Sequence, residues 1–114
     1  MIIINESKEN PRLKIWEESR DVHSGEMFMA LYAEDLDEGI IVGYVDFSIY
    51  NDEAFIKMVE VHKDWQRKGI GIAMMDWMIE EYKWENIKWT MTTPEGNELA
   101  RSIERKYGKR IRYN

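Results

Sequence analysis

The chain has no cysteine. That absence removes disulfides, thiolate nucleophiles and cysteine-based zinc sites together, and it fits a reducing, cytoplasmic setting. Histidine is scarce, with only His23 and His62. Two distant histidines among scattered carboxylates lack ligand spacing, so no metal is expected. Proline is confined to Pro11 and Pro94, both at expected element boundaries. No apolar run is long enough to span a bilayer. The apolar start, Met-Ile-Ile-Ile-Asn, is too short for a signal peptide and has no basic lead-in. The expectation is a soluble, cytoplasmic protein without a membrane partner. Basic charge is in deficit: 16 Lys and Arg against 22 Asp and Glu give a net charge of −6. Nucleic-acid binders usually carry a basic surface, so no nucleic-acid partner is expected. An acidic chain favours basic partners, such as an amine or a lysine-rich protein surface.

What the chain does have is core material. Its 114 residues are 44% hydrophobic and include five Trp, six Tyr and eight Met. That length suits one domain over residues 1–114 and leaves no room for two.

The first half reads as strands. Leu13–Trp16 is a short extended run, and His23–Glu26 is a turn. Met27–Ala33 is strand-like, Glu34–Gly39 is a polar hairpin loop, and Ile40–Tyr50 is dense in β-branched and aromatic residues. Asn51–Glu53 turns into a further strand, Ala54–His62. The pattern then changes. Lys63–Gly71 is polar and basic with two glycines, and Ile72–Tyr82 carries apolar residues at helical spacing. Ile87–Thr93 reads as a strand, and Pro94 and Gly96 punctuate. Asn97–Tyr107 reads as a helix that stops at Gly108, with a short strand after it. The fold class is therefore mixed α/β (α+β): a mostly antiparallel sheet with a central strand–helix–strand–helix unit. The helix between Ala54–His62 and Ile87–Thr93 is long enough to make those strands parallel.

The segment with chemical content is the loop Gln66-Arg67-Lys68-Gly69-Ile70-Gly71, entered from a strand and opening a helix. A helix start offers unpartnered N–H groups and the positive end of the dipole. Glycines let the backbone approach an anion, and Arg67 and Lys68 add charge. The product is a pyrophosphate cradle; spacing alone leaves open an ordinary βα turn with two glycines. The Rossmann fingerprint is absent, because its third glycine would fall at Met74. The P-loop pattern is absent too.

This segment resembles motif A of the GNAT superfamily of N-acetyltransferases, whose signature is Q/R-x-x-G-x-G/A. Asn97, Ala100 and Gly108 are similar to the spaced residues of the family's last motif helix. The resemblance runs from about Met27 to Gly108. It implies acetyl-coenzyme A as co-substrate. Main-chain amides of Gln66, Arg67, Lys68, Gly69, Ile70, Gly71 and Ile72 would take the pyrophosphate. Val59 and Val61 would pair their main chain with the pantetheine arm, and Asn97 would lie near the coenzyme. The implied activity is direct acetyl transfer to a primary amine, a protein lysine among the candidates. The implied partner is an amine or protein acceptor. The alternative is a non-catalytic acyl-coenzyme A-binding or inhibitor module on the same fold.

Two catalytic positions follow from the same resemblance. Glu104 stands where many members carry the tyrosine that protonates the leaving thiolate. Glu60 is the carboxylate in the motif A strand nearest the expected thioester, since the positions more often used for a base hold Phe55 and Lys57. A salt-bridged surface role is the competing reading of Glu60, and Glu53, Asp52 and Asp46 are weaker candidates. The helix pair that usually joins the first two strands of the family has no counterpart, because only a turn precedes Met27. The acceptor site is then open, or completed by a second subunit. A truncated sheet edge also makes a homodimer an expectation.

Overall fold

A computed structural model describes residues 12–108 and 111–113. Four strands come first: β1 (Leu13–His23), β2 (Glu26–Asp35), β3 (Ile40–Tyr50) and β4 (Glu53–Val61). A single 3₁₀ turn (Lys63–Trp65) leads to α1 (Ile70–Tyr82), β5 (Ile87–Trp89), α2 (Pro94–Tyr107) and β6 (Ile111–Tyr113). The strands lie in the sheet in chain order. β1 to β4 pair antiparallel, and β4–β5 and β5–β6 pair parallel.

Turn chemistry builds the meander. Ser24 and Gly25 both have positive φ, as do Asn51 and Asp52. Two-residue hairpin loops of this kind match the twist of their strands, and Asn, Asp and Gly tolerate the left-handed region. β1 runs through His23 rather than ending near Trp16, because β2 pairs with it along its whole length, from Leu13↔Asp35 to His23↔Glu26. Its polar stretch, Glu17 to Asp21, carries no strand signal of its own, and pairing overrides propensity there.

Both crossovers place their helices on one face of the sheet. α1 buries Ile70, Met74, Met75, Met78 and Ile79. α2 buries Gly96, Ala100 and Ile103. Between them and the sheet lies one core that includes Met29, Leu31, Val45, Phe47, Ile56, Ile87 and Trp89. Trp65, Trp84 and Trp89 are core residues. The two helices also meet directly, where the Tyr107 hydroxyl (2.6 Å) and Lys106 Nζ (2.7 Å) donate to Asp76. Among the described residues no element covers the other face of β1 to β4.

Two boundaries differ from the sequence reading. α2 begins at Pro94, three residues before Asn97: Thr93 accepts from the Gly96 N–H and Pro94 fits the first helical turn. Pro94 starts the helix instead of breaking the chain before it. β5 stops at Trp89 rather than Thr93, which shapes the site.

Candidate functional site

β4 and β5 are joined by three rungs only: Ala54↔Ile87, Phe55↔Lys88 and Ile56↔Trp89. The Ile56 carbonyl then accepts both the N–H (3.0 Å) and the hydroxyl (2.9 Å) of Thr90, which closes the ladder. At the same level β4 is bulged. Phe47 pairs with Ile56 but Asp46 pairs with Met58, leaving Lys57 as the extra residue. A bulge bends its strand. From there β4 follows β3 as far as Val61↔Gly43 and leaves β5 behind. The His62 N–H donates to the Val42 carbonyl of β3. By alternation along the strand, Val59 and Val61 turn their main-chain groups to the vacated side. The Gln66 side chain donates to the Val61 carbonyl at 3.1 Å.

The loop after β4 is anchored at its front. The His62 ring accepts from the Asp64 N–H and meets Trp65 edge-on at 5.0 Å. Trp65 is buried, and its indole N–H donates to Asp35 at 2.8 Å. Asp35 also accepts from the amides of Asp37 and Glu38. Burial pushes the Asp35 carboxyl up, but the indole and amide donors outweigh it and hold it below the usual carboxylate range. With that end fixed, the chain passes through two left-handed residues, Arg67 (φ 64°) and Gly69 (φ 78°).

Gly69 is the N-cap of α1 and supplies no side-chain cap, and the first turn of α1 holds no acidic residue. α2 differs on both counts, with Thr93 as cap and Glu95 in its first turn. The first amides of α1, at Ile70, Gly71 and Ile72, thus point outward with the dipole behind them and with Arg67 and Lys68 beside them. Acidic caps would compete with an anion there, and none is present. This arrangement fits a pyrophosphate. The two glycines do different work. Space is open where a Gly69 Cβ would stand, so that glycine serves conformation. A Gly71 Cβ would lie 3.3 Å from Leu99 on α2, so that glycine serves helix packing. The helix starts at Ile70, two residues before the expected Ile72, and Ile70 and Gly71 belong to its first turn rather than to a loop.

The two candidate carboxylates are not brought together. Val59 and Val61 pack on the core. Glu60, between them, is exposed on the uncovered face, cross-strand from Tyr44. Glu104 lies on the helix side and accepts from the Tyr113 hydroxyl at 2.8 Å. Burial and that contact raise the Tyr113 pKa, so the phenol stays protonated at neutral pH. Asn97 sits in the first turn of α2, its N–H on the Thr93 carbonyl. Sequence reasoning missed three features. Tyr113 falls in a tail read only as a short strand. Thr90 closes the β4–β5 ladder. Trp89, at the last rung, holds a buried indole N–H with no partner among the described residues. Nothing local in the sequence marks any of them.

The profile of the acetyltransferase (GNAT) family matches residues 3–108. The chain belongs to that family. The ribosomal-protein-S18-alanine N-acetyltransferase from Escherichia coli superposes with a TM-score of 0.59 at 13% identity, over 79% of this chain and 76% of that one. At that identity the likeness shows the fold alone. The ribosomal-protein-alanine N-acetyltransferase from Brucella melitensis biovar Abortus 2308 gives a TM-score of 0.55 at 25% identity, over 67% of this chain. The match spans 60% of the Brucella chain. No curated protein sequence matches this GNAT chain. No helix among the described residues is long and apolar enough to cross a membrane. No described group of His, Cys, Asp or Glu could hold a metal ion.

Proposed function

We propose that this GNAT chain is an N-acetyltransferase that moves the acetyl group of acetyl-coenzyme A to a primary amine, with a protein amine as acceptor. The observation that carries the reading is the uncapped, acid-free start of α1 beside the gap between β4 and β5. Amides from Gln66 to Ile72 bind the pyrophosphate, with Arg67 and Lys68 adding charge. Val59 and Val61 offer strand-like main-chain pairing to the pantetheine arm, and Asn97 flanks the same gap from α2. When bound, acetyl-coenzyme A supplies the thioester carbonyl that an amine attacks. Glu60 takes the proton from that amine, directly or through one water. Glu104, with the Tyr113 hydroxyl on it, is the candidate on the opposite side of the sheet. The protein acceptor is favoured by the activity of the Brucella neighbour, a ribosomal-protein-alanine N-acetyltransferase, and by the open face beside Glu60.

A binding-only module is the second reading. Glu104 favours it: the residue accepts a hydrogen bond where many family members place a proton-donating tyrosine. One set of measurements separates the two. Acetyl-coenzyme A raises the melting temperature by mass action, and NAD and ATP do so much less. Coenzyme release follows with at least one amine or protein from a panel. Glu60→Gln slows turnover about 10²–10⁴-fold without weakening coenzyme binding, and its rate recovers toward high pH, where free amine forms unaided. Acetyl-coenzyme A that gives neither a thermal shift nor a heat of binding sinks the whole reading. Binding without release from any acceptor selects the second one. If Glu60→Gln keeps full activity while Glu104→Gln loses it, the base is on α2.

A further inference from the structure

On the uncovered face, Trp16, Tyr32, Tyr44 and Glu60 stand in one cross-strand row. The register pairs Trp16 with Tyr32, Tyr32 with Tyr44, and Tyr44 with Glu60. The Trp16 and Tyr32 rings are 5.5 Å apart, and so are those of Tyr32 and Tyr44. All three aromatics are half-buried, so part of each ring is open to solvent. The neighbouring row is Glu18, Ala30, Asp46 and Met58. Arg20 reaches between the two rows. It donates to the Tyr32 hydroxyl at 2.9 Å and lies 5.9 Å from the Tyr44 ring.

The gap between β4 and β5 has a mouth on each face of the sheet. The helices occupy one mouth, and the uncapped start of α1 draws the anionic end of the donor to that side. An acceptor amine therefore enters from the other side, where Glu60 stands. The row is the surface that starts at Glu60 and runs away from the gap, so a segment following that amine has the row to lie on. Four strands at the usual spacing make it roughly 14 Å long, which matches about four residues of extended chain. Aromatic faces attract cations and apolar side chains. The flanking carboxylates of Asp46, Glu18 and Glu60 favour positive charge and oppose negative charge. The face already carries two cations of its own: Arg20, between the rows, is engaged by Tyr32 and by the Asp46 charge, and Lys14 Nζ lies 5.5 Å from the Trp16 ring at the outer end, so Tyr32 and Tyr44 are the rings nearest Glu60 that an incoming cation meets first.

We infer that the aromatic row Trp16–Tyr32–Tyr44, leading to Glu60, docks the acceptor as an extended basic protein segment, with its amine at Glu60 and the next lysine- or arginine-bearing residues over the three rings. The inference rests on the transferase reading and names its acceptor class. In the transfer, the amine nitrogen forms a bond to the acetyl carbon, the carbon–sulfur bond breaks, and the coenzyme leaves as the thiol. One amine proton goes to Glu60 and from there to solvent, and the leaving thiolate takes one proton from solvent to become the thiol.

The test uses the full chain, two six-residue peptides and a short alkylamine. The peptides share the same N-terminal residue and differ in carrying Lys and Arg, or Glu, at the following positions. Acetylation is followed by coenzyme release, and peptide binding is followed separately by calorimetry in the presence of coenzyme A. The basic peptide should give kcat/KM at least about tenfold above the acidic one, with the gap shrinking as salt rises. Tyr32→Ser and Trp16→Ser should raise KM for the basic peptide about two- to fivefold, the range of an exposed cation–aromatic contact, with the alkylamine rate unchanged. Asp46→Asn, which disturbs packing least, should narrow the gap between the peptides. Equal use of both peptides overturns the inference. So does a row substitution that slows the alkylamine as much as the peptide, or a short polyamine that outcompetes the basic peptide and responds to the same substitutions. If no amine is acetylated but the basic peptide binds and Trp16→Ser weakens it, the transferase reading has failed and the docking surface stands.

Discussion

Gly43 sets the height of α1 above the sheet, and replacing it tests how the fold positions the anion site. Gly43 is buried in β3, paired with Ala33 and Val61. A Cβ there would lie 2.8 Å from Met74 Sδ, 2.9 Å from Met74 Cε and 3.0 Å from Ile70 Cγ2. Carbon contacts are comfortable at about 3.5–4.0 Å, so α1 must lift or Met74 must turn away. Overpacking of this kind costs about 1–3 kcal/mol, and the loss of a strand glycine returns about 0.5–1 kcal/mol. The net cost of Gly43→Ala is then about 0–2.5 kcal/mol, or a fall in melting temperature of up to roughly 20 °C. Ile70 opens α1, so the same lift moves the first-turn amides and lowers affinity for acetyl-coenzyme A. Met74→Ala removes two of the three close atoms at a cost of its own of about 2–5 kcal/mol. In that background Gly43→Ala should cost less by about 0.5–3 kcal/mol, since contacting residues are coupled. Urea titrations of the four proteins in the cycle measure this term. A Gly43→Ala penalty that is the same in both backgrounds would refute the reasoning.

Gly69→Ala places a side chain on left-handed backbone in open space. It should cost about 1 kcal/mol of stability and proportionately more coenzyme affinity. Gly71→Ala should leave stability near wild type, since better helix propensity offsets the squeeze on Leu99; paired melts and calorimetric titrations that rank Gly71→Ala as the costlier change would reverse the roles given to the two glycines. Trp65→Phe keeps an aromatic ring, smaller than the indole, and deletes the donor to Asp35; the lost hydrogen bond should add about 1–3 kcal/mol at neutral pH to the cost of the lost ring volume. The folded Asp35 pKa is depressed, so its contribution is present above the unfolded value and lost as pH falls through the folded one. The penalty of Trp65→Phe should therefore shrink toward acid pH, and a penalty constant across urea titrations at neutral and acid pH would exclude the hydrogen bond as its source.

The strand–loop–helix unit was legible because its signal is local: β-branched strand, basic loop, glycines and apolar spacing fall within about twenty consecutive residues. Glu60 and Glu104 were placed on the right elements, but their opposite faces depend on the bulge at Lys57 and on both crossovers running the same way. β1 was read too short because Glu17 to Asp21 owe their strand to pairing with β2. β5 was read too long because Met91 and Thr92 look like strand, while Thr90 ends the ladder by capping the Ile56 carbonyl twice. The sequence groups Gly71 with Gly69 in the loop, and the structure adds a packing role for Gly71. Its contact partner, Leu99, lies on the other helix, and no local pattern shows such a contact. The aromatic row was invisible for the same reason, since Trp16, Tyr32, Tyr44 and Glu60 become neighbours only through three strand registers.

The division of the sheet into two faces gives the proposed donor and the proposed acceptor separate sides. The core, both helices and the anion cradle share one face, so the residues that stabilise the fold also fix the donor side. Gly43 under α1, Leu99 against Gly71 and the Trp65–Asp35 bond each join core packing to the loop. The other face carries less of the core: the β4 residues that pack on the helices' side are Val59 and Val61 and not Glu60, while Ala30 is buried beneath the aromatic row. Its side chains are free to serve an acceptor at little cost to stability. The gap past Ile56 is where the two faces communicate, and it exists because one bulge and one threonine end the β4–β5 ladder after three rungs. Substitutions on the helix face should thus move stability and coenzyme affinity together, as argued for Gly43, whereas substitutions of Tyr32 or Trp16 should move acceptor KM and, through the lost cross-strand contacts, stability slightly, but leave coenzyme affinity in place.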